Sequence, residues 1–183
     1  LNIIGLTGAV LVMIAHGLLA ALAFGLSGHF YQQNSSLDMT QMGGLLRKMP
    51  LAGTAFLMAM MAGCGLPGFA NFAGELTIFF AAWTAGYKLI TVIAVWSALV
   101  VGGLYMLRAI RNILHGPQGG TWKNSKDSSP LVTTAFGLLL ALLLVFGFAP
   151  NLLTKGIEIE VKKIVYLVKP DIDEAKHLDV VTR

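Results

Sequence analysis

The chain has 183 residues, 56% hydrophobic and 12% charged, against about 25% charged in an ordinary soluble domain. With one cysteine, a mean hydropathy of +0.73 and long uncharged runs, it is not a cytosolic enzyme, a disulfide-stapled secreted domain or a disordered chain. The net charge of +4 belongs to the first 152 residues, since the tail from 153 holds six basic and six acidic residues; the basic groups sit at the ends of apolar runs and not in a stripe, which argues against a nucleic-acid partner.

The chain opens on Leu1 and Asn2 and enters an apolar run at once. No basic stretch or small-residue cleavage site marks a signal peptide, so the expectation is a part of a longer polypeptide, with a processed N-terminus as the alternative. A crossing helix needs about 20 mostly apolar residues. Residues 3–28 satisfy this, with His16 the only ionisable group inside. The stretch 50–86 is too long for one helix and barely long enough for two. Its middle reads Gly63-Cys64-Gly65-Leu66-Pro67-Gly68. Proline removes an amide donor and glycine weakens a helix, and in hydrocarbon the freed groups need protein or a water-filled cavity. One discontinuous span is expected, broken near 65–69, with a second half-helix from about Phe69. Residues 87–107 and 131–149 complete the set. The fold class is therefore all-α, a polytopic membrane protein with four transmembrane helices in residues 1–152. Residues 153–183 form a tail that reads either as an amphipathic helix, from Ile157, Val161, Ile164, Val165 and Val168, or as disordered.

Loop 29–49 carries Arg47 and Lys48, and loop 108–130 carries Arg108, Arg111, Lys123 and Lys126. The positive-inside rule puts both in the cytoplasm or matrix. Lys88 and the tail then lie on the opposite side. Trp83, Tyr87 and Trp122 fall near expected membrane–water boundaries, whereas Trp96 lies within a span. Lys88 reads as a snorkelling side chain, Arg108 and Arg111 as topology anchors, His29 and His115 as solvent-facing, and Met58, Met60 and Met61 as pliable packing.

Glu75 is the only acid within the expected hydrocarbon. Low dielectric favours its neutral form, and the half-helix N-terminus just before it favours the charged form. Such opposed influences suit a proton relay. Asn71, four residues back on the same face, could hydrogen-bond it. The competing reading is a Glu paired structurally with a cation on another helix. His16, mid-span, can donate and accept at once, as a proton wire requires; it could equally be a packed histidine bonded across helices. A single cysteine cannot build a cysteine-ligated metal or iron–sulfur site. The glycine run lacks the Lys-Ser/Thr of a nucleotide loop. No cofactor or metal site is expected in this chain.

The stretch Leu6-Thr7-Gly8-Ala9-Val10-Leu11-Val12-Met13-Ile14-Ala15-His16-Gly17-Leu18 is followed by Gly43-Gly44-Leu45-Leu46-Arg47-Lys48-Met49-Pro50, Gly65-Leu66-Pro67-Gly68 and Phe72-Ala73-Gly74-Glu75-Leu76. Together they resemble the C-terminal part of the antiporter-like subunits of respiratory complex I, NADH:quinone oxidoreductase, type M. The resemblance covers residues 1 to about 152. It implies that the four spans correspond to helices eleven to fourteen of a fourteen-helix subunit, with helix twelve broken and both ends of that subunit on the positive side. It implies proton-transfer roles for Glu75 and His16, with Gly65, Pro67 and Gly68 forming the helix break. Related subunits usually have Lys where Glu75 stands, which favours type M. The family's other ionisable residues, a Glu on helix five and Lys on helices seven and eight, would lie upstream of Leu1. NADH, flavin, iron–sulfur clusters and quinone would be bound by other subunits. The expected partners are neighbouring membrane subunits, the rest of the same subunit and the lipid bilayer. The expected function is proton translocation coupled to quinone reduction elsewhere in the complex, as a translocase subunit without redox chemistry of its own. The alternatives are a subunit of an Mrp-type cation/proton antiporter or of a membrane-bound hydrogenase.

Overall fold

The structure is a computed structural model that describes residues 2–116 and 126–168. Leu1, Trp122, Lys123 and the tail charges from Lys169 to Arg183 lie outside the described residues. Every regular element among the described residues is helical: α1 (Ile3–Asn34), α2 (Leu45–Lys48), α3 (Pro50–Gly63), α4 (Ala70–Thr84), α5 (Lys88–Ser97), α6 (Gly103–Ala109), α7 (Pro130–Phe148) and α8 (Asn151–Val168). Two π-helical turns, Ala98–Gly102 and Ile110–Leu114, make α5 and α6 one continuous rod, Lys88–Leu114. Among the described residues three helices are long and apolar enough to cross a membrane: Ile3–Asn34, Lys88–Leu114 and Pro130–Phe148. At 14 and 15 residues, α3 and α4 are each only about 21–23 Å long, short of the roughly 30 Å of hydrocarbon.

Local chemistry explains the helix ends. The Asn2 side chain accepts from the Ile4 amide at 2.9 Å and caps α1. Pro50 and Pro130 occupy first-turn positions, where a missing N–H costs nothing. α4 ends in a Schellman motif: Gly86, at φ 93°, donates to the Trp83 carbonyl, and Tyr87 donates to Ala82. Directly after it Lys88 lies 5.7 Å from the centre of the Trp83 ring, a cation–π contact.

Hydropathy located the helices better than their ends. α1 runs six residues beyond 28, because His29 to Asn34 are polar or aromatic yet helix-compatible. The rod runs on to Leu114, so Arg108 and Arg111 are helical and not in a loop. The second half of the broken segment begins at Ala70, with Phe69 as its N-cap residue. His29 is not freely solvent-facing. Its Nε2 is buried without a hydrogen-bond partner, and its ring stands edge-on to Phe136 at 6.4 Å; the extension of α1 carries it under the start of α7. His115 is exposed, and Met58, Met60 and Met61 pack against the core as expected.

α1 is the hub, with α3, α4, α7 and α8 all packed on it. The core gathers Leu22, Leu26 and Phe30 of α1, Met42, Leu45 and Met49 of the first connection, and Ala52, Phe56, Ala59 and Ala62 of α3. Phe30 and Phe56 meet in a T at 5.6 Å. Antiparallel α1 and α4 approach backbone to backbone at paired glycines. A Cβ on Gly74 would lie 2.6 Å from Val12 Cγ2 and 3.0 Å from its amide nitrogen, and one on Gly8 would lie 3.0 Å from the Gly74 carbonyl. The α5–α6 rod is largely bare, with Leu89, Ile93, Trp96 and Leu104 exposed. It rejoins the core toward its end, where Met106 reaches Gly63 of α3 and Ile110, Ile113 and Leu114 are buried.

Connection 35–44 is organised by Asp38, which accepts from the Thr40 amide (2.9 Å), the Thr40 hydroxyl (2.8 Å) and Gln41 Nε2 (3.3 Å). Those bonds, the Thr40 amide first, hold the Asp38 carboxyl below the usual carboxylate range. The described part of the tail, α8, is two-faced: Val161 and Val165 are buried, while Lys162–Glu158 and Lys163–Glu160 pair on the exposed face at 2.7 Å each.

Candidate functional site

The site forms at the break between α3 and α4. α3 closes with a Schellman motif: Gly65, at φ +70°, donates to Ala62, and Leu66 donates to Met61 at 3.2 Å. Only glycine takes that backbone angle readily. Pro67 follows and cannot continue a helix. Gly68, at φ +105°, then redirects the chain, and Phe69 donates to Leu66 at 3.3 Å. The Cys64 thiol donates to the Met61 carbonyl at 3.3 Å. Carbonyls that a broken helix would leave open are thus largely met by the chain itself. The amides at the start of α4 receive no side-chain cap, so the break presents donors toward α4.

Glu75 lies five residues into α4 and folds back onto this turn. A Cβ on Gly65 would lie 2.7 Å from Glu75 Oε2 and 3.7 Å from its Cδ. The carboxylate therefore occupies the space that the glycine leaves open. Glu75 is half-buried, and its carboxylate makes no ion pair or hydrogen bond among the described residues. The competing expectation of a structural Glu–cation pair has no counterpart among them.

Asn71 does not meet Glu75. It is 5% exposed, and its Oδ1 is buried with no hydrogen-bond partner. The reason is direction: Glu75 reaches toward Gly65, while Asn71, despite the four-residue spacing, turns into the packed face of α4. His16 lies at the depth of the break. Val12 touches Gly74, and Leu19 approaches Gly63 (3.6 Å to a Cβ there), so His16 falls between the two levels. Its side chain is exposed, away from the α1–α4 contact, and no hydrogen bond links it to Glu75. Gly65, Pro67, Gly68 and Glu75 are brought together; Asn71 adjoins them without a bond, and His16 shares their level on another surface.

Two residues that shape the site escaped the sequence reading. Gly147 of α7 lies so close to the break that a Cβ on it would overlap the Gly68 carbonyl oxygen. Asp127 accepts from the Leu51 amide (2.8 Å) and the Ala52 amide (3.2 Å), capping α3 from a distant loop. The Asp127-Ser128-Ser129-Pro130 string carries a capping signal, but it points to α7, the helix that follows it. The actual target is set by tertiary packing. No group of three or more His, Cys, Asp or Glu side chains that could hold a metal occurs among the described residues.

Residues 1–101 match the family described as NADH:quinone oxidoreductase/Mrp antiporter, TM. The chain is 34% identical over 162 residues to NAD(P)H-quinone oxidoreductase chain 4 1 of Synechococcus elongatus, covering 84% of this chain and 30% of that protein. It is 30% identical over 174 residues to the protein of the same name from a Picosynechococcus species, covering 91% and 33%. The chain thus spans about a third of the length of the curated relatives it matches. Among solved structures, a chain of the Mrp complex from a Dietzia species superposes with a TM-score of 0.77 at 19% identity, covering 93% of this chain and 39% of that one. A chain of respiratory complex I from Thermus thermophilus with bound NADH gives 0.76 at 24% identity, covering 88% and 34%. At these identities the likeness is one of fold.

Proposed function

As the chain belongs to the NADH:quinone oxidoreductase/Mrp antiporter transmembrane family, we propose that it is the C-terminal segment of a proton-translocating membrane subunit of NADH:quinone oxidoreductase. In this reading α1, the α3–α4 pair, the α5–α6 rod and α7 make four crossings of a bacterial inner membrane. The connections at 35–44 and 115–129 face the cytoplasm, and α8 lies on the periplasmic side. Quinone reduction elsewhere in the complex drives proton transfer through the membrane arm. NADH, flavin, iron–sulfur clusters and quinone belong to other subunits, and no step in this chain uses them.

The observation that carries the reading is the Glu75 carboxylate, half-buried and without an ion pair among the described residues, lying on a helix break inside apolar spans. A carboxylate so placed binds a proton when no cation is near and releases it when one approaches or when the surroundings admit water. The uncapped amides of α4 stabilise the anion, and the absent Cβ of Gly65 gives Oε2 the space it occupies. His16, at the same depth on an open surface of α1, hands protons between Glu75 and the ionisable groups of the preceding part of the subunit, with water bridging the gap. Asn71, with its free Oδ1, supports a water on this route.

The fold is shared with the Mrp complex chain, so an Mrp-type cation/proton antiporter is the second reading. The relatives of higher identity carry the quinone oxidoreductase name, which favours the first. The test is Glu75→Gln in the full-length complex. Protons moved per electron should fall severalfold, with a milder defect for Glu75→Asp. Normal pumping and NADH oxidation in the Gln variant would remove Glu75 from the pathway.

A further inference from the structure

α7 and the residues just ahead of it meet α3 at its start and the break at its end. At one end Asp127, three residues ahead of α7, accepts from the Leu51 and Ala52 amides, and its Oδ1 also accepts from the Ser128 amide at 2.8 Å. First-turn amides have no partner within their own helix, and a carboxylate there meets the positive end of the helix dipole. At the other end Gly147 presses on the Gly68 carbonyl, and a Cβ on Gly68 would lie 3.3 Å from the Phe148 ring. Between these points α3 is one uninterrupted helix of 14 residues, packed against α7. Residues 64–69 are thus held directly at Gly68 by the end of α7, and indirectly through α3, whose first turn is held by the loop that leads into α7.

The geometry points to α7 as the positioning element of the Glu75 carboxylate, with Gly147 and Asp127 as its positioning residues. This rests on the reading of Glu75 given above. Oε2 fills the space a Cβ on Gly65 would take, so a shift of the break by a few tenths of an ångström changes what covers that oxygen. Little else near the site carries charge. α3 and α7 contain no charged residue, α1 offers only histidines and Tyr31, and α5 offers Lys88 at its far end. The end of the α5–α6 rod, packed on α3, adds Tyr105, Arg108 and Arg111, and Glu158 of α8 lines a pocket with Ala73 and Thr77 of α4. The titratable neighbour on the break itself is Cys64. Backbone placement, more than a nearby countercharge, then governs the surroundings of Glu75.

Cys64 also supplies a reporter that does not depend on pumping. In the intact complex, its labelling by N-ethylmaleimide is followed by peptide mass spectrometry, beside the pH profile of proton pumping. In Gly147→Ala and Asp127→Ala, labelling should accelerate about threefold or more as the break opens locally, and the pH profile should move. Asp127→Asn, which keeps one acceptor oxygen, should fall between Asp127→Ala and the parent. Should Gly147→Ala fail to assemble, Phe148→Leu carries the same expectation at the same contact. Assembled variants with unchanged Cys64 labelling overturn the proposal. So does faster labelling with an unmoved pH profile, which would make α7 a packing element only. If Glu75→Gln leaves pumping intact, the functional reading fails by itself, and Cys64 labelling then decides whether α7 holds the break.

Discussion

A lone acid in apolar sequence announces itself; the atom it faces does not. Glu75 was legible because it is the one carboxylate between Met49 and Leu107. Its contact with Gly65 was not, since the direction of a side chain near a break depends on how the break bends. The same gap explains Asn71, whose spacing suits a hydrogen bond to Glu75 that the structure does not contain. Asp38 illustrates a residue whose local chemistry is self-contained. Its folded-state carboxyl is held below the ordinary value by the Thr40 bonds, so its contribution to the turn is complete above the unfolded carboxylate value and is lost as pH falls through the lowered folded value. Hydrogen exchange at the Thr40 amide should therefore be protected at neutral pH and lose that protection only in strong acid. Asp38→Asn should weaken protection at neutral pH as well. Equal protection of parent and variant at neutral pH would remove Asp38 from the role.

At the scale of helices, hydropathy identified where apolar segments lie, but capping decided where they stop. The Gly65 and Gly86 turns are built alike, and both glycines are visible in the sequence. What a glycine does inside a helix is harder to read. Gly74 and Gly8 permit the backbone contact of α1 and α4, whereas nothing lies within 4 Å of a Cβ on Gly102 or Gly137. Gly74→Ala should therefore cost about 1–3 kcal/mol by overpacking against Val12. Gly137→Ala should be neutral or stabilise by up to about 1 kcal/mol through helix propensity. Thermal inactivation midpoints of the two purified variant complexes measure the contrast. A Gly74→Ala complex as stable as the parent would mean that the α1–α4 contact relaxes freely.

For the whole molecule, the motifs around His16, Gly65 and Glu75 identified the family, and the relatives named chain 4 agree with the type M resemblance. The proposed topology rests on charge placement and helix count. With Cys64 replaced by Ser, a membrane-impermeant maleimide should reach Met39→Cys from the cytoplasmic side and Lys163→Cys from the periplasmic side. Labelling of both from one side would refute the four-crossing arrangement. The long-range links were beyond sequence reading: a cap 75 residues away, from Asp127 to Ala52, and a glycine of α7 against a glycine of the break. Neither leaves a periodic signal, because each depends on which helices become neighbours.

The way α3 ends has one more consequence. The Met60, Met61 and Ala62 carbonyls are engaged by Cys64, Leu66 and Gly65, while the first amides of α4 lack a side-chain cap. The interruption is thus chemically lopsided, and its polarity is written in the main chain. Side-chain substitutions tune how strongly this spot welcomes an anion on top of that fixed main-chain contribution. A resident lysine would have to work against that backbone, whereas a glutamate works with it.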